Sequence, residues 1–166
     1  MKTAAQKPGA HKALEQGCTT CHNPHTADDR GLIKGNSERA ICLSCHSAIK
    51  NQMAKAVSIH PVKANGGRCT SCHEPHQSGK AHLLKGDITA VCSGCHKGHA
   101  QFGHPIGSNI IDPRTSEPIT CLSCHSPHAS QNRMILRADP QRALCVECHA
   151  SGDSMEAIKK SGGVKP

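Results

Sequence analysis

The sequence predicts a mostly irregular chain with short α-helices and no significant β-sheet, wrapped around a core that its own side chains do not supply. Three observations lead there. The 166 residues include no Trp, no Tyr and one Phe, Phe102, so the large aromatic side chains that usually dominate core burial are missing. All twelve cysteines fall into one recurring pattern. Fifteen Gly and ten Pro punctuate most of the chain and leave room only for brief regular elements. A chain this size with sparse, isolated Leu, Ile and Val needs disulfides, metals or another staple to stay folded.

The expected elements are few. The longest helix candidate runs from about Ser37 to Val57, with brief ones over His11 to Gln16 and Ser154 to Lys160. Short runs of helical character precede three of the cysteine motifs: Arg39-Ala-Ile-Cys42, Thr89-Ala-Val-Cys92 and Arg142-Ala-Leu-Cys145. No segment reads as a strand.

The cysteines stand as Cys18-Thr-Thr-Cys21-His22, Cys42-Leu-Ser-Cys45-His46, Cys69-Thr-Ser-Cys72-His73, Cys92-Ser-Gly-Cys95-His96, Cys121-Leu-Ser-Cys124-His125 and Cys145-Val-Glu-Cys148-His149. Successive motifs are 24, 27, 23, 29 and 24 residues apart, and the first motif of each pair recurs after 51 and then 52 residues. This is a triplicated two-motif unit. The units open alike, as CTTCHNPH, CTSCHEPH and CLSCHSPH, which places His25, His76 and His128 three residues after a motif histidine. Each opening leads through a polar loop to an apolar pair: Leu32-Ile33, Leu83-Leu84 or Ile135-Leu136. The expected organisation is one domain, 1–166, of three units at about 11–59, 60–103 and 104–150 with a short tail, 151–166.

A C-x-x-C-H motif is a c-type haem attachment site. Its two thiols add across the vinyl groups of one haem, and the adjacent histidine becomes the proximal iron ligand. A zinc scaffold also uses CxxC pairs, but does not require a histidine after every second cysteine. A disulfide framework suits an even cysteine count yet leaves those histidines unexplained. Thioredoxin-like sites come singly on a βαβ background that is absent here. The expected cofactors are therefore six c-type haems, attached through Cys18, Cys21, Cys42, Cys45, Cys69, Cys72, Cys92, Cys95, Cys121, Cys124, Cys145 and Cys148, with His22, His46, His73, His96, His125 and His149 as proximal ligands.

Six irons need six further ligands. Fourteen histidines less six leave His11, His25, His60, His76, His82, His99, His104 and His128, while only Met53, Met134 and Met155 lie inside the chain. The count points to bis-histidine ligation throughout, which leaves iron no open position and lacks the Met ligand that raises potential. Each unit has one histidine before its first motif (His11, His60, His104) and one after it (His25, His76, His128), and these six are the expected distal ligands. His60 and His104 each precede a proline, which constrains the backbone beside the ligand. His82 and His99 have no counterparts in the other units and are read as surface or supporting residues.

From residue 11 to 150 the chain resembles the doubled-CxxCH multihaem c-type cytochromes, a family that includes periplasmic electron carriers and subunits of extracellular cytochrome filaments. The resemblance implies haems packed nearly edge to edge in a thin protein wrap. It also implies that the histidine after one motif ligates a neighbouring haem. The fold class expected is thus a multihaem cytochrome wrapped around a chain of six haems.

The function expected is electron conduction, not enzymatic chemistry, with redox proteins or extracellular acceptors as partners. Two settings are open: a subunit of an extracellular or cell-surface filament, formed by head-to-tail homopolymerisation, and a monomeric periplasmic shuttle. His11, standing at a repeat junction with nothing before it, is the expected inter-subunit ligand in the first setting. A multihaem reductase is a third class, disfavoured because every motif is regular and spare histidines exceed need. The formal charge of +8 does not indicate nucleic acid, because Lys and Arg are spread along the chain and each haem adds two propionates. No stretch has the eighteen or so consecutive apolar residues of a membrane helix. No secretory signal is visible either, which suggests a mature chain or a module of a longer one.

Overall fold

The computed structural model describes residues 9–29, 31–60, 67–98 and 106–149. The regular elements are short because each cysteine motif needs only one turn of helix. The first motif of every unit lies on a 3-10 turn: Cys18–Thr20, Cys69–Ser71 and Cys121–Ser123. The second motifs begin on α-helices, namely α1 (Glu38–Cys45), α3 (Ile88–Ser93) and α4 (Ala143–Val146). The run expected between residues 37 and 57 forms two helices, α1 and α2 (Ser47–Lys55). Ser37 caps α1, its hydroxyl accepting from Ala40 N. His46 then breaks the run with φ −84° and ψ 60°. The N-terminal candidate is a 3-10 turn, Lys12–Gln16; the candidate at 154–160 lies outside the described residues.

The strands are minor. Antiparallel β1 (Ser58–Ile59) and β4 (Ala129–Ser130) pair Ser58 with Ser130 and Ile59 with Ala129. A hairpin joins β2 (Gly107–Asp112) to β3 (Glu117–Ile119), with a register shift between Gly107 and Ile111. The sequence showed no strand here because these pairs form from short polar segments without apolar alternation.

Side chains do not make the core. Among the described residues Ala129 is the one buried hydrophobic, whereas Val57 and Met134 are 68% and 73% exposed. The larger buried side chains are charged: Glu38 and Asp112 are 4% and 2% exposed. Both carboxylates are fully engaged. Glu38 accepts from Arg68 Nε at 2.7 Å, Thr70 N at 2.7 Å and Thr70 Oγ1 at 2.8 Å. Arg68 also reaches Asp29 at 3.2 Å, and Asp29 accepts from Glu38 N at 2.9 Å. This network fastens the start of α1, in the first unit, to the first motif of the second. In the third unit Asp112 accepts from Arg114 Nε at 2.7 Å and again from Nη2, while Arg114 Nη1 reaches Glu147 beside the last motif at 2.6 Å.

Candidate haem centres

All six motifs share one backbone bond. The amide of His22, His46, His73, His96, His125 and His149 donates to the carbonyl of the first cysteine of its own motif, at 2.9 to 3.0 Å. That single helical turn puts positions i, i+3 and i+4 on one side, so both thiols and the imidazole serve one group. The twelve cysteines form no disulfide, leaving every thiol available for a thioether.

The first-motif histidines are further held by a loop the sequence hinted at only through its apolar pairs. His22 Nδ1 lies 2.6 Å from the Gly31 carbonyl, His73 Nδ1 2.9 Å from that of His82, and His125 Nδ1 3.0 Å from that of Met134. A carbonyl only accepts, so Nδ1 carries the proton and Nε2 keeps its lone pair for a metal. Two consecutive residues in the left-handed region deliver each carbonyl: Gly31 (φ 75°) and Leu32 (55°), His82 (54°) and Leu83 (55°), Met134 (56°) and Ile135 (52°). The loops close identically, through Asn23 N to Leu32 O, Glu74 N to Leu83 O and Ser126 N to Ile135 O at 2.7 to 2.8 Å. Gly31, His82 and Met134 share no side-chain chemistry because only their backbone is used, which is why sequence reasoning missed the role.

Imidazoles then meet in pairs. Ring centres stand 6.0 Å apart for His11 and His46, 5.9 Å for His22 and His76, 6.0 Å for His60 and His96, and 6.0 Å for His73 and His128. Two imidazoles on opposite sides of one metal, each bound at about 2.0–2.1 Å, put their ring centres about 6 Å apart. Among the described residues no group of three or more His, Cys, Asp or Glu could hold a bare ion. Two axial nitrogens with nothing equatorial are the complement of a porphyrin, so the residues present fit haem. Burial, then the facing or neighbouring imidazoles, lower the pKa of His11, His60 and His128, which keeps these rings neutral and able to donate a lone pair.

Consecutive motifs are also neighbours. The thiols of Cys42 and Cys69 are electrostatic neighbours, as are those of Cys92 and Cys121. Cys69 and burial raise the Cys42 thiol, whereas burial and Cys121 push Cys92 up to about 11. Electrostatic neighbours link Cys21 with Cys42, Cys72 with Cys95, and Cys124 with Cys148. The thiols of each motif thus lie within electrostatic reach of those of the next, in chain order.

The family description "Doubled CXXCH motif" matches residues 11–51, 60–101 and 113–154. The chain belongs to the doubled-CXXCH multihaem c-type cytochromes. This cytochrome is 36% identical to "Multiheme cytochrome MtrA" of Shewanella baltica over 146 residues, covering 85% of the chain and 40% of that protein. It is 27% identical to "Cytochrome c-type protein NrfB" of Escherichia coli O6:H1 over 154 residues, covering 81% of the chain and 78% of that protein. The chain thus spans less than half the length of MtrA. No helix among the described residues is long and apolar enough to cross a membrane.

The cytochrome's expected distal histidines are distributed unevenly. His11 faces His46 within its own unit. His60 faces His96, while His76 and His128 face first-motif histidines of the preceding units. His25 is exposed, and among the described residues no ring faces it. His99 and His104 lie outside the described residues. His82 acts through its carbonyl, its ring being exposed.

Proposed function

We propose that this chain is a hexahaem electron conductor: a single domain of three di-haem units, about 11–59, 60–103 and 104–150, whose six haems follow one another in sequence order. The observation that carries the reading is the set of four imidazole pairs at about 6 Å, with the thiols of consecutive motifs as electrostatic neighbours. Haem iron supplies reversible one-electron redox chemistry when bound. The chain's own residues hold the groups in register, exclude water from the faces they cover and set ligand orientation through the Nδ1 bonds. Nothing in this set acts as nucleophile or general base, so the proposal is conduction between redox partners in an extracytoplasmic setting. The names of the two relatives, both cytochromes, support the same reading.

The ligand roles are proposed as the ring pairs suggest: His76 with His22, His11 with His46, His128 with His73 and His60 with His96. Intact-mass spectrometry should show the 17.5 kDa polypeptide plus six haems; fewer would sink the count. His76→Ala should turn the haem on Cys18 and Cys21 high-spin and leave the others low-spin. A wholly low-spin spectrum for that variant would refute the pairing.

A further inference from the structure

We propose that Glu38 is a potential-setting residue: its buried carboxylate lowers the reduction potentials of the haems on the second and third motifs, the two between which electrons pass from the first unit to the second. The inference rests on reading the CxxCH motifs as haem sites and goes beyond it by naming a residue that tunes two of them.

Glu38 lies in the first turn of α1, four residues before Cys42, a spacing that puts the two on one face of the helix. Its carboxylate reaches across to the third motif. There Thr70, which follows Cys69, donates to it from N at 2.7 Å and from Oγ1 at 2.8 Å. Glu38 is accordingly an electrostatic neighbour of the Cys42 and Cys69 thiols alike. Each hydrogen-bond partner of the carboxylate among the described residues is a donor, Arg68 Nε at 2.7 Å included, so the group is held as the anion. With 4% of the residue exposed, water and salt screen that charge poorly. A haem centre carries one more positive charge oxidised than reduced, so a fixed anion beside it favours the oxidised form.

Among the described residues the charge around Glu38 is not balanced. Arg68 is one guanidinium shared between two carboxylates, Glu38 at 2.7 Å and Asp29 at 3.2 Å. Its side chain is 30% exposed against 5% for that of Glu38, so solvent weakens the cation more than the anion. Arg39, a second cation near Cys69, is exposed and donates to Met53 Sδ at 3.4 Å; Asp28, lining the same cavity, offsets it in sign. The ion cluster at the fifth and sixth motifs gives the contrast. There Asp112 and Glu147 are answered by two guanidiniums, Arg114 and Arg137. Both arginines also donate to Ser123 O inside the fifth motif, at 2.9 and 2.6 Å. Two similar clusters thus bridge consecutive motifs, one with a carboxylate in excess and one without. The excess carboxylate stands where the first unit meets the second.

The test is a redox titration of the haem-loaded full chain at neutral pH, in which assigned haem methyl resonances in the NMR spectrum give each centre's oxidised fraction. Glu38→Gln keeps the shape and removes the charge. It should lower the oxidised-to-reduced ratio of the second and third haems about tenfold at a fixed potential, a rise of about 59 mV, and move the others less than about twofold. Arg68→Gln removes the countercharge and should move the same two haems the opposite way, towards the oxidised form. Thr70→Val takes one hydrogen bond from Glu38 but keeps its charge; it should lower stability and leave all ratios within about twofold of wild type. Loosened packing does not give opposite signs in the two charge variants. Should Glu38→Gln fail to fold, the sign of the Arg68→Gln shift still decides. Unchanged ratios in Glu38→Gln, an equal shift of all six haems, or an Arg68→Gln shift towards the reduced form would overturn the role. Fewer than six haems by mass would instead sink the underlying count, so the two failures are distinguishable.

Discussion

At the residue scale, the buried charges decide how the units are joined. Glu38 has four per cent of its surface exposed and receives three hydrogen bonds, two of them from the second unit's Thr70 and one from Arg68. Each bond involving a charged group contributes about 1.5–3 kcal/mol, and orphaned donors add their desolvation cost. Glu38→Ala should therefore lower stability by about 3 kcal/mol, measured by denaturant unfolding of the haem-loaded chain, with Glu38→Gln losing roughly half as much. Asp112 behaves differently with pH. The Arg114 guanidinium holds its carboxyl far below the usual range, against the effect of burial. A depressed folded-state pKa means the stabilisation is fully present above the unfolded value of about 3.9 and is lost as pH falls through the folded one. The stability gap between wild type and Asp112→Asn should thus be constant from pH 5 to 8 and shrink only in strong acid. A gap that closed near pH 6 would contradict the assignment.

At the element scale, short segments matter more than helices. The turn residue Met134 sits at φ 56° and is 73% exposed, while its counterpart in the first unit is Gly31. A side chain in that region costs about 1–2 kcal/mol, partly offset by glycine's greater freedom in the unfolded chain. Met134→Gly should be neutral to slightly stabilising, whereas β-branched Met134→Val should cost about 1–2 kcal/mol; thermal unfolding of the pair gives the order. Gly9 is the opposite case. A Cβ there would meet the Ser78 carbonyl oxygen at 2.0 Å, and its φ is 73°. Since Ser78 N donates to Gly9 O and His11 N to His76 O, Gly9→Ala should part residues 9–11 from 76–78. The result read by electron paramagnetic resonance is high-spin character at the His46 centre, opposite His11. Helix α2 is tied at longer range, with Gln52 Nε2 donating to Ser126 Oγ at 3.0 Å and to Ala129 O at 2.8 Å.

At the scale of the whole molecule, haem groups would stand where a hydrophobic core is otherwise found. Ala129 alone among the described residues is a buried hydrophobic, and burying one methyl group contributes only about 1 kcal/mol. The polypeptide without haem should therefore lack cooperative unfolding and be cut readily by proteases at concentrations that leave the holo-protein intact.

The sequence by itself determined the attachment sites, the threefold repeat and the set from which distal ligands are drawn. These depend on local chemistry, and a thioether site needs only two thiols and an imidazole on one turn of chain. Tertiary structure alone decided the pairings. His11 and His46 are 35 residues apart, His60 and His96 are 36, His22 and His76 are 54, and His73 and His128 are 55; the two spacings recur with the repeat, but only the folded chain shows which spacings bring rings together. Two histidines per unit match the number of distal ligands needed without assigning any of them to a particular motif. In the folded chain His76 and His128 face motif histidines one unit back, where residues 76–78 and 128–130 pair with segments 9–11 and 57–60. That shift by one is a property of long-range backbone pairing, which the residues of any single unit do not encode.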